Sequence, residues 1–188
     1  MLSYKGVQTK EYKILVIPIV ILVVFMNPLV EEIQSINPVV FMLDHYAMFF
    51  AGAVIGYRMF KGSLISLIVG AIIAALWHFP IPFDLAGSYV TVRVLCELTL
   101  ILGGILAGSY IPNMNLTIKI TSLALYMLGD TVLSILFIIG DPAYSNEVFH
   151  SLNWGPSSLP LVGIVMFVVM NLVLVYTIAR MMKNMAIF

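Results

Sequence analysis

The sequence predicts an all-α fold: a polytopic membrane bundle of six transmembrane helices that forms a single integral-membrane domain over residues 1–188. Of the 188 residues, 62% are apolar and only 10% are charged, and the mean hydropathy is +1.08. An average soluble domain has about 25% charged residues. Because a transmembrane helix needs about 20 residues, six helices would use about 120 residues and leave little chain for a soluble domain.

Six apolar runs separated by prolines and charges are the predicted helices. The first run follows Lys5, Lys10 and Lys13, and since no small-residue cleavage site follows, we interpret it as an uncleaved helix. The Asn37-Pro38 pair favours a helix start before the second run. Pro80 and Pro82 predict a loop after the third run. The predicted helices cover residues 14–30, 39–57, 64–79, 90–110, 116–139 and 159–179.

The distribution of charge predicts the orientation of the helices. If the N-terminus is cytoplasmic, eight of the nine basic residues fall on the cytoplasmic side, namely Lys5, Lys10, Lys13, Arg58, Lys61, Lys119, Arg180 and Lys183. One acid, Glu11, accompanies them, and the outer loops carry only acids, namely Glu31, Glu32, Asp84, Asp141 and Glu147. The positive-inside rule therefore predicts a multi-pass protein of the plasma membrane with both termini in the cytoplasm. The outer loop 140–158, with Tyr144, His150 and Trp154, is predicted to form an aromatic lid.

Four formal charges fall inside the predicted helices: Asp44, Arg93, Glu97 and Asp130. Each costs about 2.5–3.5 kcal/mol near the membrane centre, so each needs a partner or a function. Two histidines, His45 and His78, fall in the same outer third of the bilayer as most of these charges.

Helical spacing places polar residues and glycines on shared faces. The fourth helix carries Arg93 and Glu97 on one face with Gly104 and Gly108, and the second carries His45 on one face with Gly52 and Gly56. Both glycine pairs are GxxxG steps, which allow close helix packing. In the fifth helix, Tyr126 and Asp130 share a face. We therefore expect a tightly packed cytoplasmic half and a polar pocket that opens outward.

Several of these residues admit two interpretations. Arg93 and Glu97 either neutralise one another or serve a site. His78 is an interfacial anchor or a ligand. His45 beside Asp44 suits a ligand oriented by its neighbour, or a proton relay. Methionines near His45 suit cuprous copper but also serve as core filler, and Cys96 is predicted to be a small buried hydrophobe.

Composition and motifs exclude several classes of function. Zero net charge leaves no basic surface for nucleic acid, and the one cysteine excludes an intrachain disulfide or a multi-thiolate metal site. The usual hydrolase, zinc-protease, phosphate-loop and haem-attachment motifs are missing, so we predict that the protein is not an enzyme.

Several short motifs, in order, resemble the CtaG family of cytochrome oxidase assembly factors. These are Met42-Leu43-Asp44-His45, Trp77-His78-Phe79-Pro80, Phe83-Asp84-Leu85-Ala86, Val94-Leu95-Cys96-Glu97-Leu98-Thr99, Gly140-Asp141-Pro142-Ala143-Tyr144, and Trp154-Gly155-Pro156 with Gly163-Ile164-Val165-Met166. The resemblance covers about residues 41–170 and is nearest to short archaeal relatives of that family. Phe41, Arg93 and Glu97 stand where the family has histidines.

The resemblance implies a function in delivering copper to, or assembling, a haem–copper respiratory oxidase, with that oxidase and the lipid bilayer as partners. On this hypothesis His45, His78, Asp44 and Glu97 hold copper, and Arg93, Glu97, Asp130 and Tyr126 form a buried polar network. The alternatives are a non-catalytic accessory subunit of a respiratory complex, bis-histidine haem ligation by His45 and His78, and a small transporter or proton pathway.

Overall fold

The chain is an all-α helical bundle, as the composition predicts. The computed structural model describes residues 2–5 and 12–184; Lys10 and Glu11 lie outside these residues, as does the side chain of Lys183. The helices are α1 Tyr12–Phe25, α2 Pro28–Gln34, α3 Pro38–Met59, α4 Leu64–Trp77, α5 Pro80–Ser88, α6 Val90–Tyr110, α7 Leu116–Ile138 and α8 Leu159–Asn184. Single 3-10 turns lie at Ile111–Asn113, Pro142–Tyr144 and Pro156–Ser158.

A minimal antiparallel strand pair joins the N-terminal segment to the end of α3. Strand β1 (Ser3–Tyr4) pairs with β2 (Phe60–Lys61), with Ser3 opposite Lys61. Lys5 donates from its backbone N–H to the carbonyl of Met59 at 2.9 Å and from Nζ to the carbonyl of Tyr57 at 3.3 Å. Residues 3–5 therefore lie at the same end of the bundle as the α3–α4 connection.

Within the described residues, four continuous stretches are long and apolar enough to cross a membrane: Pro38–Met59, Val90–Asn113, Leu116–Ile138 and Pro156–Arg180. Two bent helix pairs pass the same test together, and if each crosses as one unit the number of spans becomes six. Their large exposed apolar faces are those of a protein that contacts a lipid bilayer.

The first predicted helix is wrong as a single element over residues 14–30. The chain forms α1, breaks at Met26–Asn27 and restarts as α2 at an angle of 64°. Pro28 lacks the backbone N–H that would continue α1, and Asn27 caps the new helix by accepting from the N–H of Leu29 at 2.9 Å. The break turns Glu31 back over the bundle.

The loop predicted at Pro80 and Pro82 is also wrong. Pro80 occupies the first position of α5, where its ring geometry suits a helix start and its missing N–H costs nothing. The bend between α4 and α5 is 68°, and it places Asp84 in the interior, only 2% exposed, instead of in an outer loop.

The two glycine stripes pack against each other, as their spacing predicts. A Cβ added to Gly52 would collide with the carbonyl oxygen of Ile101, and one added to Gly104 would collide with that of Phe49. A Cβ added to Gly56 would likewise collide with the carbonyl oxygen of Ile105, and one added to Gly108 with that of Ala53. Helices α3 and α6 therefore form the tightest pair of the bundle at the end remote from α2.

Candidate functional site

The imidazole of His45 points one nitrogen at the thiol of Cys96. His45 is 2% exposed, and its Nδ1 lies 2.8 Å from the carbonyl oxygen of Phe41, one helical turn earlier. Because a carbonyl only accepts, Nδ1 carries the proton and Nε2 keeps its lone pair. That Nε2 lies 3.3 Å from Sγ of Cys96, which is fully buried on α6.

His78 is held in the same way at the α4–α5 bend. Its Nδ1 donates to the carbonyl of Ala74 at 2.6 Å, which again leaves Nε2 as the free lone pair. The rings of His45 and His78 stand edge to face with centroids 5.7 Å apart. The structure thus brings together the two histidines that the sequence singled out, both with the tautomer found in metal-binding histidines.

The four predicted ligands do not form one coordination shell. In the described parts of the chain, no group of three or more His, Cys, Asp or Glu side chains has the spacing needed to hold a metal ion. His45 and His78 lie with Cys96, whereas Asp44 and Glu97 contact each other in a separate cluster of acids.

Arg93 joins three elements and pairs with an acid that the sequence did not suggest. Its guanidinium donates to the carbonyls of Ala86, Gly87 and Glu31 at 3.1, 2.7 and 2.6 Å. Its Nη1 also lies 3.5 Å from Oε2 of Glu31. Within the described residues, the ion pair predicted with Glu97 or Asp130 is therefore replaced by one with Glu31, because the α1–α2 break brings that glutamate inward.

The carboxyl groups of Glu31, Asp44 and Glu97 form a buried cluster with the amide of Gln34. Asp44 lies beside Glu97, and Glu97 lies beside both Glu31 and Gln34. Asp44 and Gln34 are fully buried and Glu97 is 1% exposed. These carboxyl and amide groups face one another, and no described residue outside the cluster forms a hydrogen bond with the side chains of Asp44, Glu97 or Gln34. We call these four residues the acidic cluster.

The carboxyl of Asp130 lies outside the acidic cluster and bonds to a tyrosine. Its Oδ1 accepts from the hydroxyl of Tyr46 at 2.5 Å, across the interface between α3 and α7. Tyr126 lies within electrostatic range of the same carboxyl, as the predicted network requires. The single network predicted for Arg93, Glu97, Asp130 and Tyr126 is thus divided into two, and Tyr46 is a member that the sequence did not reveal.

The aromatic lid predicted for loop 140–158 covers the histidines. Tyr144 and Trp154 are 4% and 2% exposed, and the Tyr144 hydroxyl donates to the carbonyl of His78 at 3.0 Å. Trp154 packs on Phe41 and Tyr144 on Phe83. Burial raises the pKa of Tyr144 to about 12, so the hydroxyl remains a donor at physiological pH. His150 stays exposed and takes no part in the lid.

A surface cleft of about 560 Å³ leads to the acidic cluster. Three carboxylates line it, those of Glu31, Glu32 and Glu97, together with apolar side chains that include Met26, Val90 and Val94. The cleft lies between α2 and α6 at the α1–α2 break, and of the residues predicted to form a polar pocket it is lined by Glu97 but not by Asp44, His45, His78 or Asp130.

Three site residues escaped the sequence analysis. Cys96 was interpreted only as a small hydrophobe, although it follows Arg93 by three residues and so shares its helical face. Glu31 and Gln34 fell in the loop predicted between the first two helices, and nothing local to the sequence indicates that α2 folds inward.

The fold and site define a helical membrane protein with a buried imidazole–thiol pair and a separate acidic cluster. The chain matches the model of the family DUF1404, described as a protein of unknown function, over residues 16–184. The chain therefore belongs to that family. Comparison with curated proteins and with solved structures gave no match.

Proposed function

We propose that this protein binds copper(I) between His45 and Cys96 and hands it on during assembly of a haem–copper oxidase in the plasma membrane. The observation that carries the proposal is the 3.3 Å approach of the His45 Nε2 lone pair to the Cys96 sulfur in the bundle interior. Soft sulfur with imidazole is a donor set that suits copper(I).

The residues present fit a two-donor copper(I) site. The ion would replace the thiol proton that now lies between sulfur and nitrogen, since metal binding requires the thiolate. His78 stands in ring contact with His45, and its unprotonated Nε2 is a further imidazole donor beside the pair. The backbone bonds to Nδ1 of both rings fix their orientation, which is the usual support for a metal-binding histidine.

The oxidase partner in this proposal rests on the resemblance to CtaG assembly factors. Phe41 stands where the CtaG family has a histidine. Its ring packs against that of His45 with centroids 4.4 Å apart and so occupies the place of a further ligand. A carrier that must release its ion benefits from few donors.

The proposal is tested by titrating the detergent-purified protein with copper(I) under reducing conditions against a coloured copper(I) chelator. We expect one tightly bound ion per chain, lost in Cys96→Ser and in His45→Ala. The matched control is His150→Ala, which removes an exposed histidine and should leave binding unchanged. Binding that is equal in wild type and in the Cys96→Ser, His45→Ala double variant contradicts the copper proposal.

Haem ligation by His45 and His78 is less favoured by the geometry. A porphyrin would have to separate two rings that now contact each other edge to face. A visible spectrum of the protein purified from haem-supplemented cells tests this alternative, since ligation predicts a Soret band that His78→Ala abolishes.

A non-catalytic accessory subunit is the second candidate, and the exposed faces of the last two helices favour it. In both α7 and α8 only 22% of the most apolar stretch is buried within the chain, which leaves broad surfaces for lipid or a membrane partner. This role predicts that His45→Ala leaves the copper content of the oxidase normal, whereas Glu97→Leu prevents assembly. The copper-carrier role predicts copper-poor oxidase in His45→Ala.

A further inference from the structure

We propose that the exposed face of α8 binds the same face of a second copy of this chain, so that two copies pair within the membrane through Asn171. This surface is separate from the imidazole–thiol pair, and the pairing does not depend on copper binding. Three observations support it: a continuous apolar stripe on α8, an asparagine in the middle of that stripe, and the hydrogen-bonding groups that the asparagine leaves free.

The exposed face of α8 carries side chains at alternating intervals of three and four residues. This spacing averages 3.5 residues, the period that keeps one face of a helix against a neighbouring helix along its length. The apolar members of the series are between 45% and 65% exposed, and the series extends for about 32 Å. We call it the α8 stripe, and it consists of Leu161, Ile164, Val168, Asn171, Val175, Ile178 and Met182.

Asn171 lies deep in the bilayer and yet on the outside of the bundle. The apolar stretch that contains α8 covers Pro156–Arg180, and its central residue is Val168. Asn171 follows Val168 by three residues, or about 4.5 Å along the helix axis, well within a hydrocarbon core about 30 Å thick. Its side chain is exposed, whereas polar side chains at this depth usually face a protein interior. The amide therefore needs a polar partner from outside the chain.

The hydrogen-bonding groups left on Asn171 are complementary to themselves. Nδ2 donates to the carbonyl of Phe167, one turn earlier, at 2.7 Å. An asparagine amide has a second N–H donor and a carbonyl acceptor, and no described residue bonds to either. Two such amides can each donate one N–H to the Oδ1 of the other, which gives two reciprocal hydrogen bonds across a pair of helices.

The geometry of the membrane makes a second copy the matching partner. All copies of a chain insert in the same orientation, so a two-fold axis along the membrane normal brings Asn171 of each copy to the same depth. The same axis packs the apolar residues of the α8 stripe against their own counterparts. A different membrane protein would need a polar group at that depth on an equally long apolar face.

The first test is disulfide cross-linking of an engineered cysteine in native membranes, with iodine as the oxidant. Val175→Cys lies in the α8 stripe, one turn from Asn171. Leu172→Cys is the matched control, because it lies on the same helix outside the stripe and the two native side chains are 65% and 66% exposed. Cys96 is fully buried, so the wild-type chain gives the background. We expect a product of twice the chain mass with Val175→Cys and little of it with Leu172→Cys.

The second test measures pairing in liposomes, by resonance energy transfer between donor-labelled and acceptor-labelled copies at increasing lipid-to-protein ratio. Asn171→Leu should weaken pairing about tenfold, equivalent to about 1.4 kcal/mol, because it removes both reciprocal hydrogen bonds and keeps the apolar stripe. Asn171→Gln keeps the amide and should retain most of the pairing. Thr121→Val removes an exposed hydroxyl from α7 and should leave pairing unchanged.

These variants should keep the fold, because Asn171 is exposed and its described hydrogen bond is to its own helix. Equal cross-linking of Val175→Cys and Leu172→Cys overturns the inference, and so does pairing that Asn171→Leu leaves unchanged. A cross-linked product of Val175→Cys whose mass is not twice that of the chain would show another protein on the α8 stripe, and this result also overturns the inference.

Discussion

At the residue scale, one arginine joins the three helices α2, α5 and α6 at one end of the bundle. Arg93 is 1% exposed and donates to carbonyls at the end of α5 and in α2 from its own position on α6. A planar guanidinium can serve several acceptors at fixed angles, which a lysine ammonium cannot. Its role is therefore structural as well as electrostatic.

Replacing Arg93 should destabilise the protein strongly. We expect Arg93→Ala to lower the free energy of unfolding by about 3–5 kcal/mol, because it leaves the half-buried carboxyl of Glu31 and three backbone carbonyls without their donor. Arg93→Lys should recover only part of the loss. Thermal unfolding in detergent measures both, with exposed Arg180→Ala as the control. Equal melting of Arg93→Ala and wild type would contradict the assigned bonds.

The hydroxyl of Tyr46 donates a hydrogen bond to the carboxyl of Asp130. Tyr46→Phe should lower stability by about 1–3 kcal/mol, since it leaves a buried acceptor unsatisfied. Tyr126→Phe is the matched control, because Tyr126 only neighbours the carboxyl, and it should have a smaller effect. Thermal unfolding compares the two, and a larger loss in Tyr126→Phe would show that the hydrogen bond is wrongly assigned.

At the scale of elements, two helix breaks create the site. The α1–α2 break carries Glu31 and Gln34 inward, and the α4–α5 bend carries His78 and Asp84 inward. Each break begins a new helix with a proline at its first position. Continuous helices over the same residues would have directed several of these side chains outward.

The glycine contact between α3 and α6 fixes the position of Cys96 relative to His45. Gly104→Ala should destabilise the protein by about 1–3 kcal/mol, because the added methyl group meets the backbone of Phe49. Gly129→Ala is the control, since a Cβ there meets nothing within 4 Å. That change should be neutral or stabilise α7 by up to about 1 kcal/mol. Thermal unfolding measures the stability of both variants, and an equal change in Gly104→Ala and Gly129→Ala would exclude the close contact.

At the scale of the whole molecule, the acids of α2 and the lysines near β2 lie at opposite ends of the bundle. Helix α3 starts near the acids of α2 and ends at β2, where Lys61 lies opposite Ser3 and the nearby Lys5 binds the Tyr57 carbonyl. At about 1.5 Å per residue its 22 residues reach about 33 Å, enough to cross the hydrocarbon core. This arrangement agrees with the predicted orientation.

The predicted topology is open to a labelling test. In a Cys96→Ser background, Glu147→Cys should react with a membrane-impermeant maleimide in intact cells, and Lys119→Cys should react only after permeabilisation. Both positions are exposed, so a failure to label reflects the membrane and not burial in the protein. The reverse pattern would invert the topology and place the cleft on the cytoplasmic side.

The sequence by itself determined the fold class, most helix boundaries and the helix faces that carry the glycine steps. These follow from composition, helical period and proline positions, which act within one or two turns of chain. Val90–Tyr110, for example, matches its predicted bounds, and Asn37 caps α3 as expected. The predicted helix bounds were wrong near Pro28 and Pro80, because a proline that ends one helix can also begin the next.

Only the tertiary structure decided which polar side chains meet. Arg93 pairs with Glu31, Asp130 with Tyr46 and Cys96 with His45, and each partner lies between 51 and 84 residues away or across a helix break. No local period encodes such distances, because they depend on the angles at which α2 and α5 turn back and on how closely glycine lets α3 and α6 approach. Local chain physics thus set the helices, and their packing set the chemistry of the site.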